Sequence, residues 1–283
     1  MEFLKLRTGM VLLFAALIFT SCSKNAGSFS MNESVEGRVE QSLEWNRQHR
    51  SVTINVASDN YEIFCMGDSH VGTTRNLDRF FNTARKQEAT AVLMAGDLCS
   101  GREEDYKALM QHIPFSDSLP VFAVTGNHDL HYAGWDTYFS DFGSSTYFFS
   151  VKSPADSDLY ICLDTGDGTL GREQYYWLRN LLTSLRSSYR RCIAITHTNF
   201  FRHRQAESTS PLPEEIMALE ELFTENHVDM VITGHDHRKD DRLFGVTRYI
   251  VMDPLEDKAD NAGYFVLKIS GGTINYEFVS IKD

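Results

Sequence analysis

The sequence has no surplus of positive charge. Lys and Arg number 27 against 39 Asp and Glu, a net charge of −12, and the pI is about 5.3. Phosphate backbones are gripped by clustered Lys and Arg, so this balance argues against nucleic acid as the main partner. A small phosphate substrate stays open, because bound divalent cations reverse the local sign of a site. Cysteine is scarce as well: there are five, with no tight Cys-x-x-Cys pair to suggest a thiolate metal site. Cys65, Cys162 and Cys192 lie in apolar strand-like runs, where a free thiol behaves as a small hydrophobe. No structural disulfide is expected. There is no internal repeat, and no domain linker follows residue 50.

A long apolar run is also lacking. Gly9 to Phe19 has the length of a signal h-region and is too short to span a membrane. Lys5 and Arg7 precede it, and Thr20-Ser21-Cys22 follows. This is similar to a bacterial lipoprotein signal, in which the cysteine becomes the lipid-modified first residue. Phe19 stands where a leucine is usual. The alternative is an ordinary secretory signal cut nearby. Either way the protein is expected to be exported, to the periplasm or cell surface. Lipidation at Cys22 would anchor it to a membrane surface without spanning it.

What is present fits one large domain behind a leader. Apolar residues make up 42% and aromatics 12%, enough for a substantial core. Residues 1–21 read as signal peptide, 22–50 as a tether and 51–283 as the domain. Within the tether Val35, Val39 and Leu43 recur every four residues, which fits a helix around 33–48. From residue 52 strands alternate with helices, implying parallel pairing with helices on the sheet faces. Beyond Leu243 the pattern is all strand, and Gly271-Gly272 marks a hairpin.

Five apolar strands end in residues that make poor core and good ligands. They deliver Gly67-Asp68-Ser69-His70, Gly96-Asp97, Gly126-Asn127-His128-Asp129, His197 and Gly234-His235-Asp236-His237. In open α/β sheets ligands bind beyond the carboxyl ends of the strands, so all five fall on one rim. In Asp68-x-His70 and His235-x-His237, residues two apart point the same way if the chain stays extended. The ligand candidates are Asp68, His70, Asp97, Asn127, His197, His235 and His237. Seven is too many for one tetrahedral ion and suits two ions sharing a carboxylate, with Asp97 as the bridge. Mixed Asp, Asn and His donors suit divalent ions of the Mn, Fe or Zn class. Such a pair activates water against phosphorus. His128 is the spare imidazole, able to protonate the leaving alkoxide, and Asp129 could orient it.

The five blocks, in order, resemble the calcineurin-like metallophosphoesterase signature from Gly67 to His237. The resemblance implies a four-layer α/β/β/α sandwich of two mixed sheets and two-metal hydrolysis of phosphoesters. It places one metal on Asp68, His70, Asp97 and His237, the other on Asp97, Asn127, His197 and His235, and makes His128 the proton donor. Departures narrow the subclass. The Asp-Arg-Gly continuation of protein Ser/Thr phosphatases is missing after Asp97, and Ser100 stands where purple acid phosphatases have a tyrosine ligand. Thr198-Asn199 follows His197 where many relatives carry a proline two residues on. His131, Arg202 and Arg204 are candidates to touch substrate, against aromatic packing for the first and a solvated loop for the other two. The expected function is therefore an exported metal-dependent phosphoesterase acting on small phosphomono- or phosphodiesters. A surface phosphate-ligand binding protein that keeps the fold without turnover is the alternative.

Overall fold

The computed structural model describes residues 33–114, 119–201 and 213–282. The leader, Cys22, and the loop carrying Arg202 and Arg204 lie outside them. Among the described residues, no helix is long and apolar enough to cross a membrane.

The chain opens with helix α1, Val35–Gln48, capped by the Ser34 side chain, which accepts from Gly37 N. Then follow β1 Thr53–Asn55, β2 Asn60–Met66, α2 Arg75–Lys86, β3 Ala91–Ala95, α3 Glu103–His112 and β4 Val121–Val124. Helix α4 Gly134–Phe142 leads to β5 Tyr147–Lys152, β6 Ser157–Cys162, α5 Arg172–Leu185 and β7 Arg191–Ile195. The last part holds α6 Pro213–Glu225, β8 Met230–Thr233, β9 Asp240–Phe244, β10 Thr247–Val251, β11 Gly263–Ser270 and β12 Thr273–Ser280.

Two mixed sheets result. One has seven strands in the order β1-β5-β6-β7-β8-β10-β9, the other five in the order β12-β11-β2-β3-β4. β2, β3 and β4 run parallel, as do β6, β7, β8 and β10. The expected hairpin is present: β11 and β12 pair antiparallel up to Ser270 opposite Thr273.

Alternation along each strand builds three apolar layers. Ile63 and Cys65 of β2 and Leu93 and Ala95 of β3 face the other sheet, meeting Phe149, Tyr160, Ile193, Ile195 and Ile250. Their neighbours Phe64, Met66, Val92 and Met94 face outward under Leu77, Phe80, Phe81, Tyr106 and Leu109 of α2 and α3. Leu159, Ile161, Cys192 and Ala194 face outward on the other side, under Leu178, Leu182, Leu219 and Phe223 of α5 and α6. Each Val, Leu, Ile, Phe or Met among them contributes about 1.5–3 kcal/mol when fully buried. The result is helix, sheet, sheet, helix. Cys65, Cys99, Cys162 and Cys192 are free and buried.

The helix expected near residues 33–48 forms as α1, and it is docked. Its buried face is Val35, Arg38, Val39 and Ser42. Arg38 enters the body of the protein and meets Asp164, the second residue after β6, with Nε to Oδ2 at 2.9 Å and Nη2 to Oδ1 at 3.0 Å. These residues thus pack as part of the domain within the stretch read as a tether.

Candidate metal centre

The parallel strands of both sheets end at the same rim, and every motif is delivered there. Two groups of ligand atoms assemble, each with its atoms within 4.8 Å of one another: Asp68, His70, Asp97 and His237, and Asp97, His197 and His235. Asn127 joins the second group, its Oδ1 3.2 Å from His197 Nε2. All seven ligand candidates therefore converge, with Asp97 in both groups.

The convergence does not come from extended backbone, as the Asp-x-His spacing suggested. Asp68, His70, Asp97, His235 and His237 have φ of 52°, 40°, 51°, 72° and 54°. This left-handed region costs a residue with a side chain about 1–3 kcal/mol and persists only where surrounding bonds fix it. Those bonds are present. The N–H groups of Asp68, His70 and Val71 donate to the carbonyls of Gly96, Asp97 and Leu98 at 2.9–3.0 Å, zipping the first two loops together. Gly234 N donates to His197 O at 3.0 Å. Two glycines permit the close approach. A Cβ on Gly126 would lie 2.2 Å from Asp97 N, and one on Gly234 would lie 2.4 Å from Asp68 Oδ2.

The donors are arranged as a metal needs them. His197 Nε2 and His235 Nδ1 are 3.0 Å apart, and His70 Nε2 and His237 Nε2 are 3.2 Å apart. Ligand atoms about 2.1 Å from one ion lie about 3.0–3.4 Å from each other, so these pairs match edges of a coordination shell. His197 Nδ1 donates to Ala95 O at 2.8 Å, which fixes the ring and turns Nε2 to the site. Asp68 is wholly buried, and its Oδ1 accepts no hydrogen bond. The His237 ring approaches it, with Nε2 at 3.2 Å. An uncompensated carboxylate oxygen in the interior is costly, and a cation is its natural partner. The residues fit two divalent ions.

Against the effect of burial, Asp97 and Asp68 raise the His197 imidazole to about 9, so a cation bound there displaces a proton. Burial alone would raise the Asp97 carboxyl, but His197 and His128 hold it well below the usual carboxylate range. Burial and neighbouring histidines push His70 down, toward the neutral form that ligates.

Comparison with known proteins agrees with this geometry. The calcineurin-like phosphoesterase family profile matches residues 61–239. The chain belongs to that family. It is a hydrolase of phosphoester bonds. Comparison with curated protein sequences gives no significant match. Among solved structures, GAP50, described as the anchor in the inner membrane complex of Plasmodium, is 14% identical with TM-score 0.63, covering 79% of this chain and 85% of its own. A dimetal phosphatase from Danio rerio is 14% identical with TM-score 0.59, covering 78% of this chain and 99% of its own. A 5'-nucleotidase assignment from Staphylococcus aureus is 15% identical with TM-score 0.54; this phosphoesterase spans 79% of its own length and 55% of that chain. At such identities the likeness is one of fold.

His128 sits at the mouth of the phosphoesterase site. Its side chain is 44% exposed, with Nε2 4.0 Å from Asp97 Oδ2. The His131 ring centroid lies 5.0 Å from that of His128, and exposed Tyr132 follows, with the Arg102 guanidinium 4.3 Å over its ring. Trp135 is buried and packs on Tyr138. Asp129 departs from its expected part. Its carboxylate accepts from Gly126 N at 2.8 Å, Leu98 N at 2.8 Å and Cys99 N at 3.0 Å. It ties the third motif to the second and does not turn the His128 ring. Burial, with Asp97 nearby, pushes Asp129 up to about 7 despite those N–H donors.

The loop after His197 is held without the proline. Thr198 bonds Thr165 through both its N–H and its hydroxyl at 2.9 Å. Asn199 Nδ2 donates to Asp236 Oδ2 at 3.0 Å. Sequence reasoning missed Thr165, Asn199 and Arg38, because none stands in a motif. An arginine at the spacing of Val35 and Val39 on a helix was the one available signal.

Proposed function

We propose that this phosphoesterase is exported and lipid-anchored, and that it cleaves small phosphomono- or phosphodiesters at a pair of divalent ions. The observation that carries the reading is the double membership of Asp97. Its Oδ1 lies 3.4 Å from His197 Nε2, and its Oδ2 lies 3.8 Å from His70 Nε2. Asp68, His70, Asp97 and His237 would hold one ion; Asp97, Asn127, His197 and His235 would hold the other. The donor set suits Mn, Fe or Zn. When bound, such ions neutralise phosphoryl oxygens and provide a nucleophile at neutral pH.

The chain's own groups do the rest. His128 N–H donates to Asp97 Oδ1 at 2.7 Å, so the backbone under the ring is pinned to the bridging carboxylate. From the mouth its imidazole gives a proton to the departing alkoxide. His131, whose ring neighbours that of His128, touches the leaving group, and Arg202 and Arg204 take further substrate charge. Export and anchoring rest on the Lys5-to-Cys22 pattern. Cys22→Ala is expected to move the protein from the membrane fraction to the soluble one; unchanged membrane retention would remove the anchor.

Hydrolysis of p-nitrophenyl phosphate or bis-p-nitrophenyl phosphate with added Mn tests the activity. Turnover of at least one is expected. A protein that binds phosphate compounds yet turns over neither these nor nucleotides would favour the non-enzymatic reading.

A further inference from the structure

Helix α1 lies outside the span that matches the family, residues 61–239. It is nevertheless bonded to both flanks of the Gly126-Asn127-His128-Asp129 turn. Ser42 Oγ accepts the buried N–H of Ser145 at 3.2 Å. Ser145 Oγ in turn bonds Thr125, with 3.3 Å to its N and 3.0 Å to its Oγ1. Thr125 is the residue before Gly126. On the other flank, Trp135 Nε1 donates to Gln41 Oε1 at 3.1 Å. Trp135 follows Tyr132 and Ala133, both left-handed at φ 52° and 64°.

The third tie comes from the side. Arg38 forks onto Asp164 and reaches Asp167 Oδ2 at 3.2 Å. Asp164 Oδ1 also accepts Gly166 N at 3.0 Å. Gly166 packs so closely on the turn that a Cβ there would lie 2.5 Å from Leu130 Cδ1 and 3.2 Å from Gly126 O. Three points in and beside the turn are thus braced from one helix face, by residues at positions 38, 41 and 42. Buried donors and ions of this kind hold one geometry, since any shift leaves a polar group unpaired.

We propose that α1 is a positioning strap, and that Arg38, Gln41 and Ser42 are positioning residues that set where His128 delivers its proton. This rests on the phosphoesterase reading of the site. Loosening the strap displaces the His128 imidazole from the leaving oxygen, while the Asp68–Val71 and Gly96–Leu98 loops, and Gly234 on His197, stay zipped by their own backbone bonds. Proton donation matters for a strongly basic alkyl alkoxide and little for p-nitrophenolate, which leaves without a proton. The strap's effect should therefore depend on the leaving group.

The test uses the full chain carrying Gln41→Leu with Ser42→Ala, and separately Arg38→Lys, each loaded with Mn. The kcat is compared for p-nitrophenyl phosphate and for an alkyl phosphate, or for the corresponding diesters. General-acid donation is worth about 10²–10⁴-fold, so a partial displacement is expected to lower the alkyl-to-aryl kcat ratio by about tenfold. A smaller folded fraction lowers both rates equally and leaves the ratio alone. In a His128→Ala background the strap variants should change the ratio no further. An unchanged ratio in both variants, or an undiminished effect without His128, overturns the proposal. Failure of the parent chain to hydrolyse either substrate would instead sink the enzymatic reading.

Discussion

The backbone N–H of His128 is held by Oδ1 of Asp97 at 2.7 Å, while the same carboxylate's Oδ2 lies 4.0 Å from the His128 ring. The residue that joins the two ligand groups also anchors the proposed proton donor. Charge balance and donor position are therefore linked through one side chain.

Asp97→Asn is expected to lose metal first and activity as a consequence. The amide offers one neutral oxygen where two charged ones faced separate groups. Elemental analysis should fall from two ions per chain to one or fewer, with turnover down by a hundredfold or more, beyond the about 10–100-fold typical of outer partners. A variant that keeps two ions would contradict the bridge.

His128→Ala separates chemistry from binding. The ring lies outside both ligand groups, so metal content should stay at two ions per chain. The kcat on an alkyl phosphoester should fall about 10²–10³-fold, and less on an aryl one. Parallel loss of metal would make His128 a ligand.

Much of this was legible in the sequence. The strands and the motif after each were readable because alternation or continuous apolarity marks a buried strand and the ligand residues cannot belong to one. The geometry of the motifs was not. Spacing suggested an extended Asp68-x-His70, yet both residues are left-handed, because the loops bond to the next strand's loop and not to their own continuation. Asp129 read as a partner for its neighbour His128, but the nearest unpaired groups were the backbone N–H of Gly126, Leu98 and Cys99. Arg38 was invisible for a similar reason: its partner Asp164 lies 126 positions away. Local pattern carries elements, and long-range polar pairing needs the fold.

Metal removal should cost stability as well as activity. Without cations the chain keeps Asp68, Asp97 and His197 buried around one another. Ions that bind only the folded chain stabilise by mass action, about 2.7 kcal/mol at a hundredfold excess over Kd. Chelation with EDTA is expected to abolish turnover and lower Tm, and added Mn to restore both. Ligands must be deprotonated to bind, so acid should release the ions and alkali retain them. The Tm gain from Mn should therefore shrink as pH falls and protons compete for the His70, His197, His235 and His237 nitrogens. A Tm indifferent to Mn at neutral pH would argue against the site.

Gly234→Ala probes how tightly the loops are packed. The new Cβ would meet Asp68 Oδ2 at 2.4 Å, the atom that accepts His235 N at 2.9 Å. Either the carboxylate turns away or the loop shifts. The expected outcome is loss of about 1–3 kcal/mol with weakened metal retention, read by denaturant unfolding and elemental analysis. Wild-type values for both would show that the loops have slack.

Arg38 gives the sharpest stability test, because its charge is wholly buried between partners that differ in exposure. The side chains of Asp164 and Asp167 are 1% and 21% exposed. Arg38→Met leaves Asp164 charged and unpaired in the interior, at a cost of about 3–5 kcal/mol. Asp167 can still reach water. Arg38→Met with Asp164→Leu removes both buried charges, so it should be more stable than Arg38→Met alone. The remaining deficit is expected from Gly166, whose N–H loses the Asp164 oxygen it now reaches at 3.0 Å. Urea unfolding of the two variants beside the parent chain decides it. If the double variant is no more stable than Arg38→Met, the Arg38–Asp164 contact is held together by packing around it and not by compensation of charge.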